Sequence, residues 1–221
     1  MEEQPLQGHA QRQRWRGRQR RIGLTGGIAT GKSTVGRLLQ ERFGLPVLDA
    51  DLYAREALAA GSAGARAVLD RHGPAVADSA ALRTGTEAID RAALGRIVFA
   101  DPAERRWLEE LVHPLVRERF RRELEQRAEA AAVVLMIPLL FEAGLEGLCG
   151  EVWLVDCDET EQRQRLIRRD GLPEDEARRR IAAQWPLERK RALADQVISN
   201  RGNAEELLAA VERALATPPP P

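Results

Sequence analysis

At 221 residues the chain has room for one domain, or one domain with a sizeable insertion, and its 43% apolar content is enough for a real core, which excludes wholesale disorder. Its 34 basic side chains are balanced by 34 acidic ones, so the basic surplus of a general nucleic-acid binder is missing. The longest apolar run, Ala130 to Phe141, is interrupted by Pro138 and stops at Glu142, so no membrane span is expected, and with only Cys149 and Cys157 for thiols the chain reads as a soluble cytoplasmic protein without a disulfide framework.

In chain order, residues 1–20 carry arginine at 12, 14, 16, 18 and 20 and no aliphatic after Leu6. With no apolar signal segment either, they read as a disordered extension; a basic arm touching RNA or an acidic partner is the alternative. Arg21–Thr25 follows as a strand, then a glycine-rich turn, then a helix from Lys32 to about Phe43. Leu45–Leu48 is a second strand, ending in Asp49-Ala50-Asp51. The stretch 57–130 lacks a convincing strand and reads as a helical insertion. Within it Asp90 and Asp101 are helix caps, Pro102 stands at a first helical position, and a long charged helix is expected to bend where Pro114 follows His113. Val133–Ile137 and Val152–Val155 are buried-strand runs. A polar helical segment over 160–195 precedes a short last strand at Gln196–Ser199, and 218–221 is a proline tail. Strands separated by helices predict an α/β fold with a parallel sheet of about five strands covered on both faces. The core is then 21–56 and 131–217.

The turn after the first strand, Gly26-Gly27-Ile28-Ala29-Thr30-Gly31-Lys32-Ser33, fits G-x-x-x-x-G-K-[ST] at every fixed position. Such a loop turns tightly enough for successive N–H groups to converge on a phosphate, and the positive end of the following helix faces the same anion. The expected nucleotide contacts are Gly27, Ile28, Ala29, Thr30, Gly31, Lys32, Ser33 and Thr34. Lys32 would reach the β/γ oxygens, and the Ser33 hydroxyl would coordinate Mg²⁺. Only two of the 34 basic residues are lysine, Lys32 and Lys190, so a chain that writes arginine almost everywhere keeps an ammonium at this position.

Three classes of nucleotide protein share this loop. The guanine-reading N-K-x-D of a regulatory GTPase is absent, and Asp70-Arg-His-Gly73 fits D-x-x-G without a strand before it. The run Val133–Ile137 ends in Pro138-Leu-Leu-Phe-Glu142 rather than the Asp-Glu of a motor or helicase. A small-molecule kinase remains. It needs a carboxylate to receive the acceptor's proton and cations for the transferring phosphoryl group. Asp49 and Asp51 sit at the tip of the second strand; in extended chain they share a face, whereas a helix starting at Ala50 turns only one inward, and a plain helix cap is the alternative. Arg165 and Arg169, four apart, share a helix face in what would be a closing lid over 160–195, or else a solvated face paired with Glu161 and Asp170.

These residues resemble one family, the bacterial dephospho-coenzyme A kinases. The resemblance is carried by Ile22–Val35, by Asp49-Ala-Asp51 with Ala54-Arg55, and by Val112-His-Pro-Leu-Val-Arg117. Further on it rests on Pro138-Leu-Leu-Phe-Glu142, Gln162 with Arg165 and Arg168-Arg-Asp170, Gln184-Trp-Pro-Leu-Glu188, and Ala194–Asn200 before Gly202. It implies a P-loop kinase three-layer sandwich with a helical acceptor-binding insertion at 57–130 and a lid. It further implies ATP and dephospho-CoA as substrates, Mg²⁺ as cofactor, and no nucleic-acid or membrane partner. The base falls on Asp51, the lid arginines on Arg165 and Arg169, and the acceptor contacts on Arg55, His113, Arg117, Pro138, Leu140 and Glu142. His113 reads equally as a helix-bend residue. Pro138 and Phe141 also read as packing, and Asn200 lies either at the adenine edge or in a cap before Gly202. Ala29 stands where the family commonly has glycine, with little effect expected. The rival reading is a P-loop kinase of a nucleoside, nucleotide or other small alcohol.

Overall fold

The computed structural model describes residues 13–78 and 87–220. In chain order the elements are β1 (Arg20–Gly26), α1 (Lys32–Phe43), β2 (Val47–Asp49), α2 (Ala50–Ala57), α3 (Ala63–His72), α4 (Arg91–Ala100) and α5 (Pro102–Gln126), then β3 (Ala132–Met136), β4 (Glu151–Asp156), α6 (Glu159–Asp170), α7 (Glu174–Ala182), α8 (Leu187–Arg191), β5 (Gln196–Ser199) and α9 (Ala204–Ala216). They divide into two compact units. One runs to Leu48 and resumes at Arg127; the other is Asp49–Gln126.

The first unit is built on a five-stranded sheet in the order β2-β3-β1-β4-β5. β1 pairs in parallel with both β3 and β4, setting Ile22 opposite Val134 and Leu24 opposite Trp153, and β4 pairs in parallel with β5. A central strand covered on both faces has no solvent side, so β1 is buried from Ile22 to Gly26 and reads as a continuous run rather than an alternation. On one face Ile22, Leu24, Val134, Met136, Trp153 and Val155 pack with Val35 and Leu39 of α1 and Leu207, Val211 and Ala214 of α9. Leu135 and Leu154 alternate with these positions and are buried toward the other face. α1 ends at Gly44, whose left-handed φ of 64° lets its N–H reach the Gln40 carbonyl. α9 opens with a reciprocal capping box between Asn203 and Glu206.

Every expected strand is present, four with ends displaced by a residue or two and the last, Gln196–Ser199, at the expected bounds. The disordered extension expected over 1–20 is corrected for 13–20, while residues 1–12 lie outside the described residues. Trp15 donates its backbone N–H to the Cys149 carbonyl (3.0 Å) and its indole N–H to the Gln19 carbonyl (2.8 Å), and the Arg21 guanidinium stacks 3.4 Å above its ring. Gln19 is buried on the Arg127 carbonyl, and Arg20 pairs with the buried Glu151 at 2.5 Å. The absence of aliphatics concealed an edge that is held by one indole and by hydrogen bonds. Of the proline tail, 218–220 join no helix or strand and Pro221 lies outside the described residues.

In the second unit Ala65, Val68, Val76, Ile89 and Leu94 form a separate core with Trp107, Leu108 and Leu111 packed on it. The boundary falls at Asp49 rather than 57 because α2 packs here. Tyr53 meets the Phe120 ring edge-on at 5.0 Å, and Arg119 lies over Tyr53. Asp90 accepts the Ala92 and Ala93 N–H groups, and Asp101 accepts that of Ala103. α5 runs through Pro114 as one helix. Residues 79–86 of the expected insertion lie outside the described residues. Among the described residues no helix is long and apolar enough to cross a membrane.

Candidate functional site

The loop from Gly26 to Ser33 joins the buried carboxyl end of β1 to the head of α1. Its shape comes from local bonds: the Thr30 hydroxyl and N–H both donate to the Gly27 carbonyl, at 2.9 and 3.3 Å. A Cβ on Gly26 would lie 2.6 Å from that hydroxyl and 2.9 Å from the Val155 carbonyl, so only glycine lets the loop fold back on the sheet. Gly31 has φ 96° and caps α1 without any side-chain bond, and no acidic residue occupies the first turn. The positive head of α1 therefore has neither a side-chain cap nor a first-turn carboxylate against it, which favours an anion there.

Ala29, the position where alanine replaces the family's common glycine, is left-handed. Its φ is 59°, the only positive value at a non-glycine residue among those described. A left-handed alanine costs about 1–2 kcal/mol, so the surrounding bonds must hold it there.

Those bonds come from the segment after β4. Asn200, beyond β5, donates from Nδ2 to the Thr30 carbonyl at 2.7 Å, while its own N–H bonds the Asp156 carbonyl at the end of β4. Arg165 reaches the Thr30 carbonyl at 3.4 Å and the Asn200 carbonyl at 2.9 Å, and it is paired with Glu161. Gln162 donates to the Ile28 carbonyl at 2.7 Å, and Gln184 accepts the Ile28 N–H at 2.8 Å. Asp156, 3% exposed, takes Arg191 on one oxygen and Arg201 on the other. The adjacent Cys157 thiol is pushed up to about 11, first by burial.

Two of the expected site residues lie away from the loop. Leu140 is fully buried, and its side chain fills the space beside Gly23, where a Cβ would meet it at 2.8 Å, so it packs in the core of the first unit. Arg169 does share a helical face with Arg165, but it lies one turn further along α6, exposed and paired with its neighbour Asp170. That ion pair raises the Arg169 pKa and lowers that of Asp170. The structure brings Arg165 to the loop and leaves Arg169 in solvent.

Glu142 closes the loop after β3, where the Pro138 carbonyl accepts the Thr25 hydroxyl. Its Oε1 lies 2.7 Å from Nζ of the fully buried Lys190 and accepts the Trp185 N–H at 3.1 Å, while Oε2 is buried with no hydrogen-bond partner among the described residues. The sequence reading missed this pair, although Lys190 carried the same signal as Lys32. It also missed Asp156, at the tip of a strand it had placed correctly, and it quoted Gln162 and Gln184 without assigning either a role.

The remaining expected residues belong to the second unit. α2 begins at Ala50, and Asp49 is its cap, accepting the Asp51 N–H at 2.9 Å. Asp51 and Arg55 are both exposed and lie one turn apart on α2; His113 and Arg117 lie one turn apart on α5.

A phosphate loop leaving the central strand of a parallel sheet ordered 2-3-1-4-5, with helices on both faces, defines a P-loop kinase. A family model described as dephospho-CoA kinase matches residues 20–206. The chain belongs to the dephospho-CoA kinase family. It is 65% identical over 185 residues to a dephospho-CoA kinase of Synechococcus sp. (strain CC9605), covering 84% of this chain and 86% of that one. With the dephospho-CoA kinase of Gloeobacter violaceus it shares 50% identity over 210 residues, 95% of this chain and 98% of the other. A crystal structure from Thermus thermophilus is 40% identical with a TM-score of 0.76, covering 90% of this chain and 98% of that one. The dephospho-CoA kinase structure from Campylobacter jejuni, 23% identical over 90% of this chain and 97% of that one, has a TM-score of 0.60 and bears on the fold alone.

Proposed function

We propose that the chain transfers the γ-phosphoryl group of ATP to the ribose 3′-hydroxyl of dephospho-CoA, giving CoA and ADP, the last step of coenzyme A biosynthesis. The observation that carries this is the glycine-shaped loop at the head of α1, which no side chain caps, set in a chain that matches the family from residue 20 to 206. The 3′-oxygen bonds to the γ-phosphorus as the bond to the β,γ-bridging oxygen breaks, and the hydroxyl proton passes to a carboxylate. Asp51 is that carboxylate, with Arg55, His113 and Arg117 of the same unit binding the acceptor. The loop N–H groups and Lys32 hold the nucleotide's phosphates. Arg165, already on the Thr30 carbonyl, supplies positive charge to the phosphoryl group, and Asn200 lies at the adenine edge.

The donor set fits a magnesium ion that arrives with the nucleotide. Ser33 presents an exposed hydroxyl at the head of α1, and no group of three or more His, Cys, Asp or Glu that could hold a metal occurs among the described residues. Mg²⁺ takes one or two protein oxygens and completes its shell with phosphate and water. When bound it neutralises charge on the β and γ oxygens.

The test is turnover of purified chain with MgATP against dephospho-CoA, adenosine, AMP and shikimate, following ADP. Dephospho-CoA should drive ADP release and yield CoA; equal turnover on the nucleosides would overturn the assignment. Lys32→Ala should lower kcat on the order of 10³-fold. Asp51→Asn should lower kcat with little change in the KM for ATP, and retention of most of kcat would move the base elsewhere.

A further inference from the structure

Two glutamines outside the phosphate-loop motif close on a single residue of the loop from both sides. Gln162, in the first turn of α6 and 3% exposed, donates from Nε2 to the Ile28 carbonyl at 2.7 Å. Gln184, between α7 and α8, accepts the Ile28 N–H on Oε1 at 2.8 Å. The approach of Gln162 is built in: a Cβ on Gly27 would lie 2.6 Å from its Nε2. Gln184 is held in turn, because the next residue, Trp185, donates its N–H to Glu142, the carboxylate that faces the buried Lys190.

The residue after Ile28 is the left-handed Ala29. The peptide joining them is planar and trans, so the Ile28 carbonyl and the Ala29 N–H point in opposite directions. A bond that fixes the carbonyl therefore fixes the plane from which the φ of Ala29 is measured, and turns the Ala29 N–H to the side away from Gln162. With the Ile28 N–H already taken by Gln184, the Ala29 N–H is the next donor of the loop available to a phosphate.

We propose that Gln162 and Gln184 are positioning residues for the phosphoryl transfer, holding the Ile28–Ala29 peptide in its strained, phosphate-binding orientation before nucleotide arrives. This rests on the kinase reading above. Because both glutamines lie in the 160–195 segment, the grip also ties the loop's shape to the placement of that segment. Their role is distinct from that of a general scaffold, since it is needed only while residue 29 resists a positive φ. Glycine at 29 adopts that conformation without strain.

The experiment is a double-mutant cycle on the full chain with Gln162→Leu, Gln184→Leu and Ala29→Gly, singly and in pairs. MgATP affinity is read by calorimetry, turnover with dephospho-CoA by ADP release, and melting of each variant in parallel. Each leucine variant should weaken MgATP binding and kcat/KM for ATP by about tenfold to a hundredfold, as expected for a lost buried hydrogen bond in a preorganised site. Ala29→Gly should return most of that loss, leaving each double variant within about threefold of the glycine single. Melting should not track the recovery. Equal losses with alanine or glycine at 29, or no loss at all, would overturn the proposal. Gln184 is only half-buried, so Gln184→Leu decides the matter if Gln162→Leu does not fold. A wild-type chain that binds MgATP but leaves dephospho-CoA untouched would overturn the substrate assignment instead, and the calorimetric arm would still read the grip.

Discussion

Gly31 is where the loop tolerates least. Its φ is 96°, and a Cβ there would sit 2.1 Å from Nδ2 of Asn200, the group that holds the Thr30 carbonyl. Gly31→Ala therefore adds backbone strain and also expels Asn200. Calorimetry should show MgATP affinity falling by roughly a hundredfold or more, with a stability loss of about 1–3 kcal/mol. Gly44 is the matching control. It too is left-handed, at φ 64°, but nothing lies within 4 Å of its Cβ position. Gly44→Ala should cost stability alone, about 1 kcal/mol in denaturant unfolding, with nucleotide affinity unchanged. At this scale the sequence was most informative for residues whose chemistry is carried by their own backbone or charge, such as Gly31 and Lys32. It was least informative for Gln162 and Gln184, whose type says nothing about which distant carbonyl or N–H they meet.

Among the elements, α8 is short and polar on paper, five residues of which three are basic, yet Lys190 is the most deeply buried charge of the first unit. It joins α8 to the loop after β3 through Glu142. Lys190→Met keeps the length of the stem and leaves the carboxylate without its cation. Urea unfolding should report a loss of about 3–5 kcal/mol, and pairing it with Glu142→Gln should return a large part of that. If the single change were neutral, the ion pair would not be what fixes α8. α6 shows the limit of helical spacing as evidence. Four residues return to the same face but also advance about 6 Å along the axis. That distance separates Arg165, on the loop, from Arg169, in solvent. The boundary of the helical unit followed a similar rule: the caps of α4 and α5 were plain in Asp90 and Asp101-Pro102, whereas the allegiance of α2 depended on the ring contact of Tyr53 with Phe120.

For the whole molecule, burial of the thiols sets an alkaline limit. Cys149 is fully buried, and desolvation pushes it up to about 12 from an ordinary value of 9.0. Below pH 9 the thiol is protonated in folded and unfolded chains alike, so its contribution there does not vary with pH. Above pH 9 the unfolded chain releases this proton while the folded chain keeps it, so stability falls as pH rises toward the folded value, by at most about 1.4 kcal/mol per pH unit for this one group. Denaturant midpoints between pH 8 and pH 10.5 should show the decline, and Cys149→Ala should make it shallower even though the variant is less stable at pH 8. A slope unchanged by that substitution would assign the alkaline loss to other groups. The sequence alone determined the phosphate loop, all five strands, the long charged helix over Pro102–Gln126 and the class of chemistry, because each rests on short-range rules: hydrophobic periodicity, turn residues and the spacing of a motif. Only the tertiary structure decided that Trp15 anchors the chain ahead of β1, that Leu140 lies in the core, that Arg165 rather than Arg169 meets the loop, and that Glu142 faces Lys190. These depend on which residues, more than a hundred apart in some cases, share one water-poor space, and there an unmet hydrogen bond or an unpaired charge costs more than any local preference can supply.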